Sequence, residues 1–512
     1  MKKPALGSEE NPKPSPGFYH GDPQIIFEQV KGGRFARSDV DLSVKLESKI
    51  KIGDTWYKPL AETRVYWNLP SEAESYPSDE WLFEMNRQFI KDYADVKQPG
   101  AYDILAAFAL ASWRFEDWQS FTYLFLVGHF GAGKSTLQRV LKQICRRAVG
   151  GPSISVSSFV SMMDRFNATI MPDEAQILNS EDSGEMIAIL RGAYQRGNMR
   201  IKSVPTGHGW TDKAYNAFGF CVLASHDPLE EGILQRCLPF SMVKRTRRLK
   251  KWRKPEFIIE GSHLRNWNLQ YRFLHLGDDD VDDALLDQID DDRLQELALP
   301  LLTVAPAGQP RESILSFFKV LAQRKQVEIE SGEEADYFRA LDYFTSHAEF
   351  IKSGGKILFA AFKQSLLEIK KEEDSEYDPK WLDPRGMWKV LKRLGFSHGG
   401  HTREGSSIIF DRSRIEALRP RFEQQQSLPP STVTTITPVT PIENDVTGVT
   451  EVTDMGVKHE REVIACPLGC GIIFHDQPSL DSHLSTYKHE PALPEGEAGG
   501  LSDAEYRDGD TG

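Results

Sequence analysis

The stretch "LFLVGHFGAGKST", Leu124 to Thr136, reads as an apolar strand that runs into a glycine-rich loop and then a helix. Gly128, Gly133, Lys134 and Ser135 fit the spacing glycine, four residues, glycine, lysine, then serine or threonine. Each position has a physical duty. Gly128, His129, Phe130, Gly131, Ala132 and Gly133 let backbone N–H groups turn inward around a polyphosphate, and the helix beginning near Lys134 points the positive end of its dipole at it. Lys134 brings a cation to the β and γ phosphates, and the Ser135 hydroxyl, with Thr136 behind it, completes a Mg²⁺ shell. The expected ligands are ATP and Mg²⁺.

Three segments downstream add chemistry to the loop. "ATIMPDEAQIL" reads as a short apolar strand ending at Asp173-Glu174, where Asp173 would hold Mg²⁺ through water and Glu174 would act as general base on the attacking water. Pro172 removes a backbone donor beside that pair, so the strand is expected to end or bulge there. "FGFCVLASHDP" reads as a buried strand that delivers Ser225 to the same end of a parallel sheet, to orient water or sense the γ-phosphate, with His226 in reserve. In "EEGILQRCLPFSMVKR", Arg236 sits where a helix should end before a last strand, as an arginine finger across a subunit interface or as a surface ion pair.

With "GHFGAGKST", "MPDEAQ", "CVLASHDP" and "LQRC" in that order, the region from about Ala101 to Arg248 resembles the AAA+ superfamily of P-loop ATPases. Within it, the progression looks like the ATPase cores that mobile elements, plasmids and phages encode near primase-helicase functions. The resemblance implies a sheet with the phosphate-loop strand central and often a ring of subunits with nucleotide at the interfaces. It also implies roles: Lys134 and Ser135 as the first Walker motif, Asp173 and Glu174 as the second, Ser225 as first sensor and Arg236 as finger. The sequence departs from the family at the sensor, where asparagine is usual, and at Pro172.

The remaining chain sets the context. With 512 residues, 40% hydrophobic and 27% charged, two to four ordinary globular domains are expected. A net charge of -13 argues against a surface basic all over, so nucleic-acid contact must come from local patches. The opening "MKKPALGSEENPKPSPG" has no apolar core after its lysines, and the most apolar stretches fall short of the roughly 18 to 20 residues that span a bilayer, so the expectation is an intracellular, cytoplasmic protein with no membrane partner. Cys145, Cys221 and Cys237 read as buried thiols.

The fold class expected is α/β: an AAA+ type P-loop core with a parallel sheet, then a helical region, a winged helix-turn-helix and a small ββα zinc finger on a disordered linker. The boundaries are a disordered tail over 1–20, a small β-rich region over 21–78, the ATPase domain with leading helices over 79–254, and a helical region over 255–350. A winged helix-like domain over 351–422, a Pro/Thr/Val-rich linker over 423–462, the finger over 463–490 and an acidic disordered tail over 491–512 complete the chain. The acidic run Asp278 to Asp292 reads as a solvated loop or helix face.

Near the C-terminus Cys466, Cys470, His483 and His489 stand at Cys-x3-Cys-x12-His-x5-His spacing, with Phe474 and Leu480 between the pairs. Two thiolates from a hairpin and two imidazoles from one helix face can close a tetrahedral Zn²⁺ site, and so small a unit cannot hold a fold without it. The pattern resembles the Cys-Cys-His-His zinc fingers. Its helix offers no arginine for guanine, so nucleic acid and a protein partner stand as equal occupants of the finger. "KRTRRLKKWRK", Lys244 to Lys254, is either a solvated face or a grip on a phosphate backbone, and Lys389, Lys392, Arg393, Arg403, Arg412 and Arg414 make the winged helix cationic. The leading expectation is a Mg²⁺-dependent ATPase acting on nucleic acid, helicase-like or replication-associated. The alternatives are a protein-remodelling or signalling ATPase, and an ATP-binding transcriptional regulator.

Overall fold

The computed structural model describes residues 5–423 except 22–23, 39–42, 152–153, 173–182, 208, 279–282, 353, 376 and 403–404, together with 464–465 and 473–474. The chain divides into two units, Met1–Gln426 and Ser427–Gly512.

Strands begin earlier than the polar, proline-rich N-terminus suggests. β1 (Lys13–Ser15), β2 (Gly17–Gly21), β3 (Gln24–Val30), β4 (Arg34–Ser38), β5 (Val44–Glu47), β6 (Ile50–Ile52) and β7 (Thr55–Pro59) form two small sheets, β2-β3-β4-β5 and β1-β7-β6. The tail expected over 1–20 is therefore partly strand. Phe18 accounts for this, packing edge-on against Phe27 at 4.4 Å and Tyr57 at 5.0 Å between ring centroids. β3 is buried on both faces: Ile25 and Phe27 pack with Phe35, Ile50 and Ile52, while Ile26 and Val30 pack with Trp113, Leu269 and Phe273.

Two helices follow. α1 (Asp79–Tyr93) is capped by Ser78, whose hydroxyl accepts from the Trp81 N–H at 3.3 Å, and α2 (Ala101–Trp113) is buried almost all round. Then strand and helix alternate: β8 (Tyr123–Val127), α3 (Lys134–Ile144), β9 (Ala148–Gly151), α4 (Val156–Phe166), β10 (Thr169–Pro172) and α5 (Ser183–Gly192). A long hairpin, β11 (Met199–Thr206) and β12 (Gly209–Asn216), interrupts the alternation before β13 (Val222–Ser225), α6 (Glu231–Leu234) and β14 (Cys237–Ser241).

β13, β8 and β14 pair in parallel in the order β13-β8-β14, and β10 pairs in parallel with β9. A parallel bridge between Ile170 and Cys221, with the Ile170 N–H donating to Phe220 O at 2.9 Å, joins the two groups into the order β14-β8-β13-β10-β9. The phosphate-loop strand is thus interior but second from the edge; β13 holds the centre that β8 was expected to hold. "YLFLV" and "VLAS" are apolar along most of their length because both sheet faces are covered by helices.

α7 (Pro255–His275), α8 (Asp283–Leu286), α9 (Asp292–Val304) and α10 (Gln309–Glu330) share the core of the sheet, so this helical region is part of the same body as the parallel sheet. Within the acidic run, Asp291 caps α9, accepting from the Leu294 N–H at 2.9 Å, and pairs with Lys325. A second core lies between α11 (Glu333–Ser346), β15 (Ile351–Lys352), β16 (Lys356–Leu358), α12 (Phe359–Glu373), α13 (Pro384–Arg393), β17 (His398–Thr402), β18 (Gly405–Ile409) and α14 (Arg412–Phe422). Phe338, Leu341 and Phe344 of α11 belong to that core, which moves the boundary expected at 351 back to the start of α11. Its antiparallel sheet runs β15-β16-β18-β17.

In the C-terminal unit, β19 (Ile464–Ala465) pairs antiparallel with β20 (Ile473–Phe474), so this ladder brackets in sequence the segment carrying Cys466 and Cys470. Cys466, Cys470, His483 and His489, nearly all of the expected linker and the expected tail lie outside the described residues. Among the described residues no helix is long and apolar enough to cross a membrane.

Candidate nucleotide site

The loop after β8 is built by glycines that the surrounding chain requires. Gly131 and Gly133 take φ of 77° and 99°, the left-handed region, and Gly133 occupies the N-cap of α3. At Gly128 the reason is close approach, because a Cβ there would meet the Met242 carbonyl oxygen at 2.3 Å. Loop residues His129, Phe130 and Gly131 are exposed, Phe130 to 75%, while Ala132 is buried. Lys134 is buried, and its ammonium donates to the carbonyls of Gly128 and, at 3.3 Å, His129. The lysine thus lies folded across the loop that its charge would serve. Ser135 is exposed in the first turn of α3 and Thr136 is half-buried beside it.

Ser225 ends β13 in register with Val127, the residue before the loop, and its backbone carbonyl accepts from the Gly128 N–H at 3.3 Å. Its hydroxyl accepts from the Asp227 N–H at 3.2 Å, which turns the chain so that the His226 ring stands 5.1 Å from His129 and 5.2 Å from Phe130. The structure therefore brings Ser225 and His226 to the mouth of the phosphate loop. Asp173 and Glu174 lie outside the described residues. β10, the strand they follow, keeps Pro172 as its last residue and is parallel to β8. For Mg²⁺, the exposed Ser135 hydroxyl fits one position of an oxygen shell. Among the described residues no three metal-binding side chains converge.

Arg236 is placed elsewhere. Its backbone carbonyl accepts from the Tyr123 N–H at 3.0 Å, at the amino end of β8, whereas the loop leaves the carboxyl end of that five-residue strand. The offset along the strand is about 16 Å at roughly 3.3 Å per residue. The guanidinium donates to the Gly232 carbonyl and lies 4.9 Å from the centroid of the Tyr194 ring. Arg236 therefore does not meet the phosphate loop of its own chain.

Sequence reasoning passed over three features. Gln138 lies one turn beyond Lys134 and is buried, its amide donating to Pro172 O at 2.8 Å and Val222 O at 3.0 Å. The β11–β12 ribbon was legible as alternating residues around Gly-His-Gly. The approach of the basic segment after β14 to the loop left no local signal at all.

Cys145, Cys221 and Cys237 are free and buried, and burial pushes their thiols well above the usual range. A second buried group ties the site to the N-terminal strands. Glu28 of β3 accepts from Arg146 at 2.9 Å and Arg147 at 2.6 Å, both just past α3, and Arg272 of α7 approaches it to 3.8 Å. Burial alone would raise the Glu28 carboxyl, but the three arginines outweigh it and hold it below the ordinary carboxylate range.

No protein-family profile matches the chain, and no curated protein matches it. Among solved structures, the chain is similar to an apo form of the C-terminal region of NrS-1, at 9% identity and a TM-score of 0.32 over 75% of this chain and 96% of that one. It is similar to a Drosophila ORC structure bound to DNA at 10% identity and a TM-score of 0.18, over 68% of this chain and 95% of that one. A ligand-bound JCV helicase gives 12% identity and a TM-score of 0.21, over 53% and 74%. Likenesses this low carry neither fold nor function.

Proposed function

We propose that the chain is a Mg²⁺-dependent nucleoside triphosphatase of AAA+ type that acts on nucleic acid as a helicase-like or replication-associated motor. The observation that carries the nucleic-acid part is the β11–β12 ribbon. Eight residue pairs long, it has two unlike faces: on one, Lys202 stands directly opposite Lys213, with Tyr215 beside them and Arg200 already paired with Glu185. Like charges paired across a ladder are destabilising unless an anion lies against them. On the other face Met199, Ile201 and Trp210 are exposed to 58%, 70% and 76%, and an exposed indole is a stacking surface for a base.

The ribbon is also connected to the chemistry. Only Ala217 to Cys221 separate β12 from β13, and Ala217, Phe218, Phe220 and Cys221 are buried. A displacement at Ser225 or His226 on nucleotide turnover would pass to the ribbon through a short, packed segment. In this reading Lys134 and the loop amides hold the phosphates, Ser135 and Asp173 hold Mg²⁺, Glu174 deprotonates water and Ser225 orients it. Bound Mg²⁺ would neutralise charge on the terminal phosphates.

A ring, as the resemblance implies, is the arrangement in which Arg236 would serve a neighbour's nucleotide. The α11–α14 module, with α13 and the β17–β18 hairpin as recognition helix and wing, and the zinc finger would act as targeting modules. On α13, Arg385, Lys389 and Lys392 are exposed.

The test is the rate of ATP hydrolysis by the full chain with and without single- and double-stranded DNA and RNA. Stimulation together with salt-sensitive binding supports the proposal, and a rate indifferent to all four, with no such binding, sinks it. The exposed Met199, Ile201 and Trp210 of the ribbon, beside the Ser203–Asp212 pair, favour a second reading, a protein-remodelling ATPase, for which protein partners retained after nuclease treatment would speak.

A further inference from the structure

The chain leaves β14 pressed against the phosphate loop. The Met242 N–H donates to Val127 O at 2.7 Å, and the Met242 carbonyl fills the space where a Cβ of Gly128 would stand. Lys244 follows two residues on, within about 8 Å of Met242 by chain geometry.

From there the segment is tied down on its inner side. Arg247 donates to Asp95 at 3.0 Å and to the Ala94 carbonyl at 2.7 Å, and Lys250 pairs with Asp92 at 2.9 Å and Glu260 at 3.0 Å. Arg139 of α3 lies over the Trp252 ring at 3.9 Å. These three anchors curve the backbone over the loop. The other cations, Lys244, Arg245, Arg248, Lys251 and Arg253, line a cleft of about 500 Å³ together with Gly131, Ala132, Gly133 and Thr136. Among the described residues Asp95 is the only acid in the lining, and Lys97 and Arg247 already occupy it at 2.8 Å and 3.0 Å.

We propose that residues 244–253 form the second wall of the nucleotide site, a strap whose Lys244, Arg245 and Arg248 hold the phosphate chain together with the loop. The inference rests on the reading of the loop as a triphosphate site. A cleft of this size suits a mononucleotide, since small-molecule pockets run from about 300 to 1,000 Å³. These cations share one cleft with the loop residues Gly131, Ala132, Gly133 and Thr136, which places them within reach of a ligand held by the loop. The segment's basic run therefore serves the fuel, and the ribbon serves the polymer.

The test titrates fluorescent ATP and ADP analogues, and separately a labelled DNA oligonucleotide, against the full chain and its variants. In Arg245→Ala/Arg248→Ala, ATP affinity is expected to fall at least tenfold and ADP affinity less, because one phosphate fewer is held, with DNA affinity unchanged within about twofold. Arg245→Lys/Arg248→Lys should recover most of the loss with an unchanged melting temperature. Unaltered nucleotide affinity in the alanine variant, or a loss of DNA binding alone, overturns the strap. So does an equal loss in the lysine variant accompanied by a lower melting temperature, which would make the arginines structural. Lys134→Ala separates the two readings: if it abolishes nucleotide binding while the strap variant does not, only the strap fails, and if neither matters the loop reading itself is wrong.

Discussion

The side-chain amide of Gln138 donates to the Pro172 carbonyl at 2.8 Å, and so links the phosphate-loop helix to the strand that runs into Asp173. The same amide reaches Val222 O at 3.0 Å, at the start of the strand that ends at Ser225. One buried side chain thus sets the spacing between the loop and two strand ends. Gln138→Leu should strip these carbonyls of that donor at a cost of about 1–3 kcal/mol. A lower melting temperature with turnover reduced about tenfold and nucleotide affinity changed less than threefold is the expected result. Thermal melts and steady-state kinetics check it, and unchanged turnover would show that the link has no part in catalysis.

Binding and hydrolysis should separate by residue. Lys134→Ala removes the only lysine or arginine carried by the loop and should abolish ATP binding in equilibrium titration. Glu174→Gln should keep binding and trap ATP, with turnover lowered by about 10²–10⁴-fold, the typical worth of a general base. Normal turnover in that variant would remove Glu174 from the role.

The ribbon's two faces predict two distinct defects. Lys202→Ala/Lys213→Ala should weaken nucleic-acid binding uniformly across sequences and reduce the salt dependence by the equivalent of about two phosphate contacts. Trp210→Ala should leave the salt dependence alone while weakening single-strand binding through loss of about 1–3 kcal/mol of stacking. Fluorescence anisotropy over a salt series distinguishes these outcomes, and identical curves for all three proteins would dismiss the ribbon.

Glu28 should make stability depend on pH in the acid range. Its carboxyl is held below its unfolded value of about 4.3, so its contribution is complete above that pH and is lost as pH falls through the lower folded value. Glu28→Gln leaves Arg147 without its carboxylate and Arg146 with only Glu116 at 3.6 Å, and should cost about 3–5 kcal/mol at neutral pH. Melts from pH 7 down to 3 should show the wild-type advantage shrinking below about pH 4.3. An advantage constant across that range would contradict the charge argument.

The proposed C-terminal finger would hold one Zn²⁺ per chain, lost in Cys466→Ser/Cys470→Ser. Elemental analysis of the full chain gives the stoichiometry directly. Zinc content equal in the wild type and the double variant would rule the site out.

Much of the site was legible because its chemistry is local. The loop spacing, the apolar strand before it and the helix after it are contiguous in "LFLVGHFGAGKST", and the pattern of Gly131 and Gly133 reappears as left-handed backbone. The strands that precede Gln24 were not legible: β1 and β2 lie in a polar, proline-rich segment, and Phe18 of β2 is held by Phe27 on the next strand and by the more distant Tyr57. Arg236 was read by its place before a strand, and that place holds. The side chain's direction depended on Tyr194, which is far away in sequence.

The sequence by itself determined the glycine-rich loop, the alternation of strands and helices around it, and the Cys/His spacing at the C-terminus, since each depends on backbone freedom or periodicity within a few residues. Only the tertiary structure decided that β13 stands between β8 and β10, that α11 packs with the C-terminal module and that the basic segment 244–253 folds over the loop. Those adjacencies follow from which apolar faces bury together and which buried charges find partners across the chain, and no short window of residues carries that information.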